Sequence, residues 1–165
     1  PLRGPELLTE VHDVSGFDCG NEALNRFLQR YALLNQRNQS ARTYVAMRGE
    51  TRVIGYYSLA AASAEYETVP ARIAKGLAQH PIPLTLLARL AVDRTEQVTG
   101  IGAGLLKDAL KRFLQAQSII AARALVVHAK DEQAIEFYQH FGFVPSPLDP
   151  YHLYLMTKDI HECLT

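Results

Sequence analysis

Apolar positions early in the chain return every three or four residues. They predict an amphipathic helix over residues 21–38, with Cys19-Gly20 as a turn, Asn21 as N-cap and Glu22 near the start. At ~100° per residue, Leu24, Phe27, Leu28, Tyr31 and Leu34 share one broad face, while Arg26, Arg30 and Arg37 fall within about 40° of one another on the other. One side reads as core and the other as a basic stripe. The period then changes. Residues 42–47 and 53–59 read as adjacent strands joined by Arg48-Gly49-Glu50-Thr51, and the second is dense enough in Val, Ile and Tyr to be covered on both faces. A short helix opening at Pro70 is expected over 69–79, broken by Pro81 and Pro83 before the central strand 84–92. A helix over 102–115 carries the stripe Leu106, Ala109, Leu110 and Phe113. A buried strand follows at 124–128, a helix at 131–141 and a last strand at 152–157. Local strand pairing in the first half and alternation with helices in the second predict an α/β (α+β) fold, a mixed central sheet flanked by helices.

A length of 165 residues suits one domain, expected to span 1–165 and to bury roughly two-thirds of its unfolded surface. With 48% hydrophobic and 21% charged residues the composition is globular, not disordered. No apolar run approaches the ~20 residues that cross a bilayer, so no membrane partner is expected. The opening Pro1-Leu-Arg-Gly-Pro-Glu6 has neither a signal-peptide nor a transit-peptide pattern. Cys19 and Cys163 lack CxxC or metal spacing and read as thiols of a reducing, cytoplasmic compartment. His80, His128, His140 and His152 show no HxH or HxxxH spacing, so no metal is expected.

Net charge is zero, which gives the whole molecule no bias toward nucleic acid. The distribution changes that picture. Residues 26–52 hold Arg26, Arg30, Arg37, Arg42, Arg48 and Arg52 against Glu50 alone. Such an excess suits either a phosphate-binding face or a solvated arginine-rich surface.

The most specific pattern is Leu90-Ala-Val-Asp93 followed by Gln97-Val-Thr-Gly-Ile-Gly102 and a strongly helical run. A strand ends, a glycine-bearing turn follows, and a helix starts at once. The N–H groups at such a helix start lack intrahelical partners and sit at the positive end of the dipole, so they form an anion site without a basic side chain. Gly100 and Gly102 allow the closest approach.

Gln97-x-x-Gly100-x-Gly102 resembles the Q/R-x-x-G-x-G/A motif of the GNAT acetyltransferases. Ala134, Phe137, Tyr138, Gly142 and Phe143 resemble that family's A-x-x-F-Y-x-x-x-G-F. Phe17-Asp-Cys-Gly-Asn21, Ala41-Arg-Thr-Tyr44, Gly55-Tyr-Tyr-Ser-Leu59, Leu87-Ala-Arg-Leu-Ala-Val-Asp93, Val127-His-Ala129 and Phe143-Val-Pro-Ser-Pro147 are similar to its type II toxin branch. Close relatives often have Gly where this chain has Val98, a departure that bears on turn geometry and affinity.

The resemblance implies a single GNAT domain whose sheet splays at an acetyl-CoA cleft. Acetyl-CoA would be the acetyl donor, contacted by Leu90, Ala91, Val92, Gln97, Val98, Thr99, Gly100, Ile101, Gly102, Ala103, Asp131 and Phe137. It implies Tyr138 as the acid that protonates departing thiolate, and a charged tRNA as acceptor, acetylated on its α-amino group so that translation stops. Arg26, Arg30, Arg37, Arg42, Arg72, Lys75 and Arg89 are the expected tRNA contacts. A ribbon-helix-helix antitoxin, a homodimer, and DNA only through the antitoxin complex complete the implied partners of a bacterial, cytoplasmic enzyme. The other readings are a small-amine or protein N-terminal acetyltransferase and a non-catalytic binding or repressor module.

Overall fold

The computed structural model describes residues 1–164; the Cys163 side chain, and with it the thiol reading made there, lies outside the described residues. In chain order the elements are β1 (Leu2–Leu7), α1 (Glu22–Arg26), a π-helical turn (Phe27–Tyr31), α2 (Ala32–Arg37), β2 (Arg42–Arg48), β3 (Arg52–Ala64), a 3-10 turn (Tyr66–Thr68) and α3 (Ala71–Ala74). Then come β4 (Ile82–Val92), α4 (Ile101–Ala116), β5 (Ala124–His128), α5 (Glu132–His140), β6 (Val144–Pro145), β7 (His152–Met156) and α6 (Thr157–Leu164). The seven strands follow the order β1-β2-β3-β4-β5-β7-β6. The sheet is mixed: β1, β2 and β3 pair antiparallel, β4 and β5 pair parallel, and β7 is antiparallel to both β5 and β6.

The chain forms two compact units, one of Pro1–Ala60 with Ala88–Ala109 and one of Ala61–Leu87 with the chain from Leu110 onward. The core of the first gathers Phe17, Phe27, Leu28, Ala32, Val45, Met47, Val53, Tyr56 and Ala91. Tyr56 lies edge-on to Phe17 and stacked on Phe27, and its hydroxyl donates to Leu24 O at 2.7 Å. The core of the second gathers Val69, Ile73, Ile82, Leu84, Ala124, Val126, Tyr154 and Met156. As its apolar density implied, β3 is buried without a break from Val53 to Ser58. The stripe Leu106, Ala109, Leu110 and Phe113 is the buried side of α4.

Three expectations are corrected. The helix over 21–38 contains a π turn, in which the Ala32 N–H donates to Phe27 O five residues back. That extra residue rotates the downstream faces. Ala32 is buried where Tyr31 was expected, while Tyr31 and Leu34 are 46% and 54% exposed. The basic stripe is divided at the same point. The helix over 69–79 shrinks to Ala71–Ala74, because Lys75 leaves the helical region and Gly76 turns left-handed at φ = +82°. Finally, β1, β6 and α6 were not foreseen. β1 has no inside–outside alternation to read, and β6 is a two-residue strand ending at Pro145.

Candidate active site

β4 pairs with β5 from Leu84↔Ala124 to Leu87↔Val127, and Leu90, Ala91 and Val92 lie beyond the end of that ladder. The chain then bends through 93–100 into α4. Asp93 organises the bend: its carboxylate accepts from Thr95 N (3.0 Å) and Thr95 Oγ1 (2.7 Å) on one oxygen and from Asp18 N (3.0 Å) on the other. Arg94 N donates back to Asp18 O at 2.9 Å. Burial works to raise the Asp93 pKa, but the N–H groups of Asp18 and Thr95, the Thr95 hydroxyl and the Arg52 charge outweigh it and hold the group below the ordinary carboxylate value. Gln97 Nε2 donates to Cys19 O (3.1 Å) and Val92 O (3.0 Å). Its carboxamide therefore ties the bend to the strand end and to the turn before α1. Arg48 clamps Glu96 with two hydrogen bonds of 3.2 and 2.7 Å.

Val98 and Gly100 both take left-handed backbone, at φ = +62° and +86°. A Cβ built on Gly100 or Gly104 would meet no protein atom within 4 Å, so the space beside the start of α4 is open. At Gly55 the reverse holds: a Cβ would press Leu105 Cδ1 at 3.1 Å, so glycine lets α4 seat closely on β3. Among the described residues, the N–H groups of Gly100, Ile101, Gly102 and Ala103 find no acceptor. Unsatisfied amides at the head of a 16-residue helix, beside open space and over glycine, fit the pyrophosphate of coenzyme A. The side chain of Val98 points fully into solvent and leaves this path clear.

The expected tRNA-contact residues have unequal surroundings. Arg26 and Arg30 are exposed and, among the described residues, have no carboxylate partner. Arg37 pairs with Glu10, and Arg42 donates to Gln39 Oε1 at 3.1 Å. Arg89, half-buried on β4, sets its guanidinium 3.7 Å from the centre of the Phe27 ring. In the second unit Arg72 is held by both oxygens of Asp159 (2.5 and 3.0 Å), and Lys75 is exposed where α3 ends.

Also in the second unit, Asp131 caps α5 by accepting from Ala134 N at 2.8 Å, which gives its carboxylate a structural duty that the motif alone did not reveal. Phe137 is half-buried on the same helix. Tyr138 is 8% exposed, its ring edge-on to Phe137 (5.2 Å) and Phe143 (5.4 Å). Burial pushes its phenol far above the ordinary value, so it stays protonated. Among the described residues its hydroxyl has no hydrogen-bond partner, although no buried side-chain polar atom is left unsatisfied, so that oxygen reaches solvent. Sequence reading missed Asp93, Asp18 and Glu96. Asp93-x-Thr95 directly after a strand was the one available signal, an aspartate placed to bond the backbone two residues on.

A strand end, an amide-lined bend and an exposed start of α4 on a mixed sheet define an acetyl-CoA-dependent N-acetyltransferase. The chain belongs to the GNAT acetyltransferase family, whose profile, described as an acetyltransferase (GNAT) domain, matches residues 39–145. It is similar to a tRNA-acetylating toxin of Mycobacterium tuberculosis (strain ATCC 25618 / H37Rv), with 41% identity over 155 residues, 94% of this chain and 92% of that protein. Among solved structures, AtaT complexed with acetyl-methionyl-tRNAfMet matches with a TM-score of 0.89 at 33% identity, covering 100% of this chain and 99% of that one. A tyrosine-to-phenylalanine mutant of the AtaT toxin, bound to the C-terminus of the antitoxin AtaR and acetyl-CoA, matches with a TM-score of 0.82 at 32% identity, covering 100% and 98%.

Proposed function

We propose that this chain is the toxin of a type II toxin–antitoxin system, transferring acetyl from acetyl-CoA to the α-amino group of an aminoacyl-tRNA and so blocking translation. The observation that carries this reading is the extent of its likeness to the mycobacterial tRNA-acetylating toxin. The alignment takes 155 of 165 residues, so it includes most of the chain ahead of residue 39, where the family profile has not yet begun and the arginine-bearing helix lies. A small-amine acetyltransferase has no need of that cationic segment.

When bound, acetyl-CoA supplies a thioester carbonyl open to an amine and a thiolate leaving group. The chain's own residues do the rest. The amides from Gly100 to Ala103 hold the pyrophosphate, and the free edge of Leu90, Ala91 and Val92 aligns the pantetheine. Gln97, Val98 and Thr99 shape the bend, with Asp131 and Phe137 as the contacts expected from α5. The backbone near Val92 polarises the carbonyl. The α-amine of an aminoacyl ester is less basic than a lysine, so a useful neutral fraction exists without a dedicated base, and positioning carries much of the rate. Tyr138 then donates its proton to the departing sulfur, the acylated nitrogen loses its extra proton to water, and water reprotonates the phenolate. The tyrosine's protonated state and partner-free, solvent-reaching hydroxyl support that role.

Arg26, Arg30, Arg42, Lys75 and Arg89 engage the tRNA backbone, and Arg37 and Arg72 join by exchanging their carboxylate partners for phosphate. A ribbon-helix-helix antitoxin, DNA contact through the antitoxin complex only, a homodimer, action in the bacterial cytoplasm and one functional domain over 1–165 belong to the same reading. Its test is acetyl-CoA with total charged tRNA, products read by mass spectrometry. N-acetylaminoacyl-tRNA is the expected product, and Tyr138→Phe should slow its formation by roughly 10²-fold or more with acetyl-CoA binding retained. An unchanged rate removes Tyr138 from the chemistry. No product from any charged tRNA, with a small amine acetylated instead, overturns the toxin reading.

A further inference from the structure

We propose that the π-helical turn Phe27–Tyr31 is a stacking platform for an unpaired nucleotide at the 3′ end of the tRNA, with the Tyr31 ring against the base and Arg26 and Arg30 on the neighbouring phosphates; the inference rests on aminoacyl-tRNA being the acceptor.

A π turn is a rare departure from the α-helix that the sequence pattern specifies, and such turns are frequent at functional sites. Here the core gains little from it. The position turned inward is the small Ala32, and the side chains turned outward are the large Tyr31 and Leu34. A helix serving only the core would have kept the tyrosine inside. The turn therefore presents an aromatic ring to solvent.

Charge identifies the occupant. Arg26 and Arg30 lie four residues apart, and Arg30 is next to Tyr31 in the chain. Both arginines are exposed, and among the described residues neither meets a carboxylate, whereas Arg37, Arg48, Arg72 and Arg94 each do. An exposed aromatic ring on the same helical segment as two exposed, uncompensated arginines is the combination that single-stranded nucleic acid uses, base on ring and phosphate on cation. The inner side of the same turn adds direction. Phe27 faces inward and carries the Arg89 guanidinium 3.7 Å over its ring, and Arg89 precedes Leu90 on β4. The platform is thus joined through one turn to the strand whose end handles the thioester. A charged tRNA brings its amino acid on a terminal adenosine preceded by further unpaired nucleotides, and one of these would occupy Tyr31.

Tyr31→Ala and Tyr31→Trp, made in the full chain, test this with two acceptors: charged tRNA and the same amino acid esterified to adenosine alone. Tyr31→Ala should raise the KM for charged tRNA roughly tenfold. It should leave kcat, acetyl-CoA affinity and turnover of aminoacyl-adenosine as they were, and Tyr31→Trp should restore the tRNA KM. In parallel, uncharged tRNA with 2-aminopurine at an unpaired 3′ position should lose fluorescence on binding to the wild type and to Tyr31→Trp, and not on binding to Tyr31→Ala. An unchanged tRNA KM in Tyr31→Ala overturns the platform, as does an equal loss on aminoacyl-adenosine. Quenching that survives in Tyr31→Ala does so too, because the base then stacks elsewhere. The binding arm needs no acetyl transfer. A wild type that quenches the probe but acetylates no charged tRNA would sink the toxin reading and leave the platform standing.

Discussion

Val98 has no protein neighbour to satisfy and yet occupies backbone that suits glycine. Its φ of +62° puts a β-branched side chain in the left-handed region, a strain of roughly 1–3 kcal/mol. The side chain is fully exposed, so truncating it removes no buried surface. Val98→Gly should therefore stabilise the fold. Relief of strain exceeds the extra unfolded-state freedom of glycine, about 0.5–1 kcal/mol, and a net gain of about 1 kcal/mol is expected in urea unfolding. An equal or lower midpoint would show that the bend is not strained at this residue. Val98 was visible in the sequence as a departure from the motif, but the consequence was not. Main chain at Val98 follows the course that glycine would take, so the change affects the energy of the turn and leaves its amides available. Asp131 shows the opposite limit of a motif. Resemblance assigned it to the cofactor, while the sequence signal that it caps α5, an aspartate three residues ahead of Ala134, went unused.

At the scale of elements, the bend is stitched by side chains far apart in sequence, to the turn before α1 through Asp93 to Asp18 and Gln97 to Cys19, and to the end of β2 through Glu96 to Arg48. The strand, the glycine bend and the helix over 84–115 were legible because each has a local pattern. The stitches were not, because pairing between residues 18 and 93 depends on the finished fold. The π turn was hidden for a different reason. A helical wheel assumes a constant angle per residue, and one inserted residue moves every later side chain to a new face. Asp93 makes the stitching measurable through pH. Its folded pKa lies below the unfolded value of ~3.9, so between the two the unfolded chain holds a proton that the native chain does not. Its contribution to stability is fully present above the unfolded value and is lost as pH falls through the folded one. Asp93→Asn should cost about 1–3 kcal/mol near neutrality, as for hydrogen bonds to a charged group, and should flatten the acid limb of the stability curve. Parallel acid limbs in the two proteins would mean that Asp93 gains nothing from ionisation.

Over the whole molecule, a net charge of zero conceals a division of labour among the arginines. Arg37, Arg48 and Arg72 face Glu10, Glu96 and Asp159, so their charge is locally balanced, and Arg26, Arg30 and Arg42 remain without acidic partners among the described residues. Composition revealed the excess over residues 26–52 but not which members were balanced, since the balancing acids come from other parts of the chain. Long-range attraction to tRNA should therefore depend on such unbalanced cations, of which Arg26 and Arg30 stand on one helical segment. Each phosphate contact contributes close to one unit to the slope of log affinity against log salt, so Arg26→Glu with Arg30→Glu should reduce that slope by roughly two and weaken tRNA use most at low salt. Arg37→Glu should act less, because it trades a balanced charge for repulsion against Glu10. Acetyl-CoA affinity should be unchanged in both variants, since under the proposed function amides of Gly100–Ala103, and not side-chain charge, hold the pyrophosphate. The measurement is KM for charged tRNA across a salt series beside calorimetric titration of acetyl-CoA. A double variant with the wild-type slope would move the tRNA path to another face, and a parallel loss of acetyl-CoA binding would mean that the arginines act through the bend.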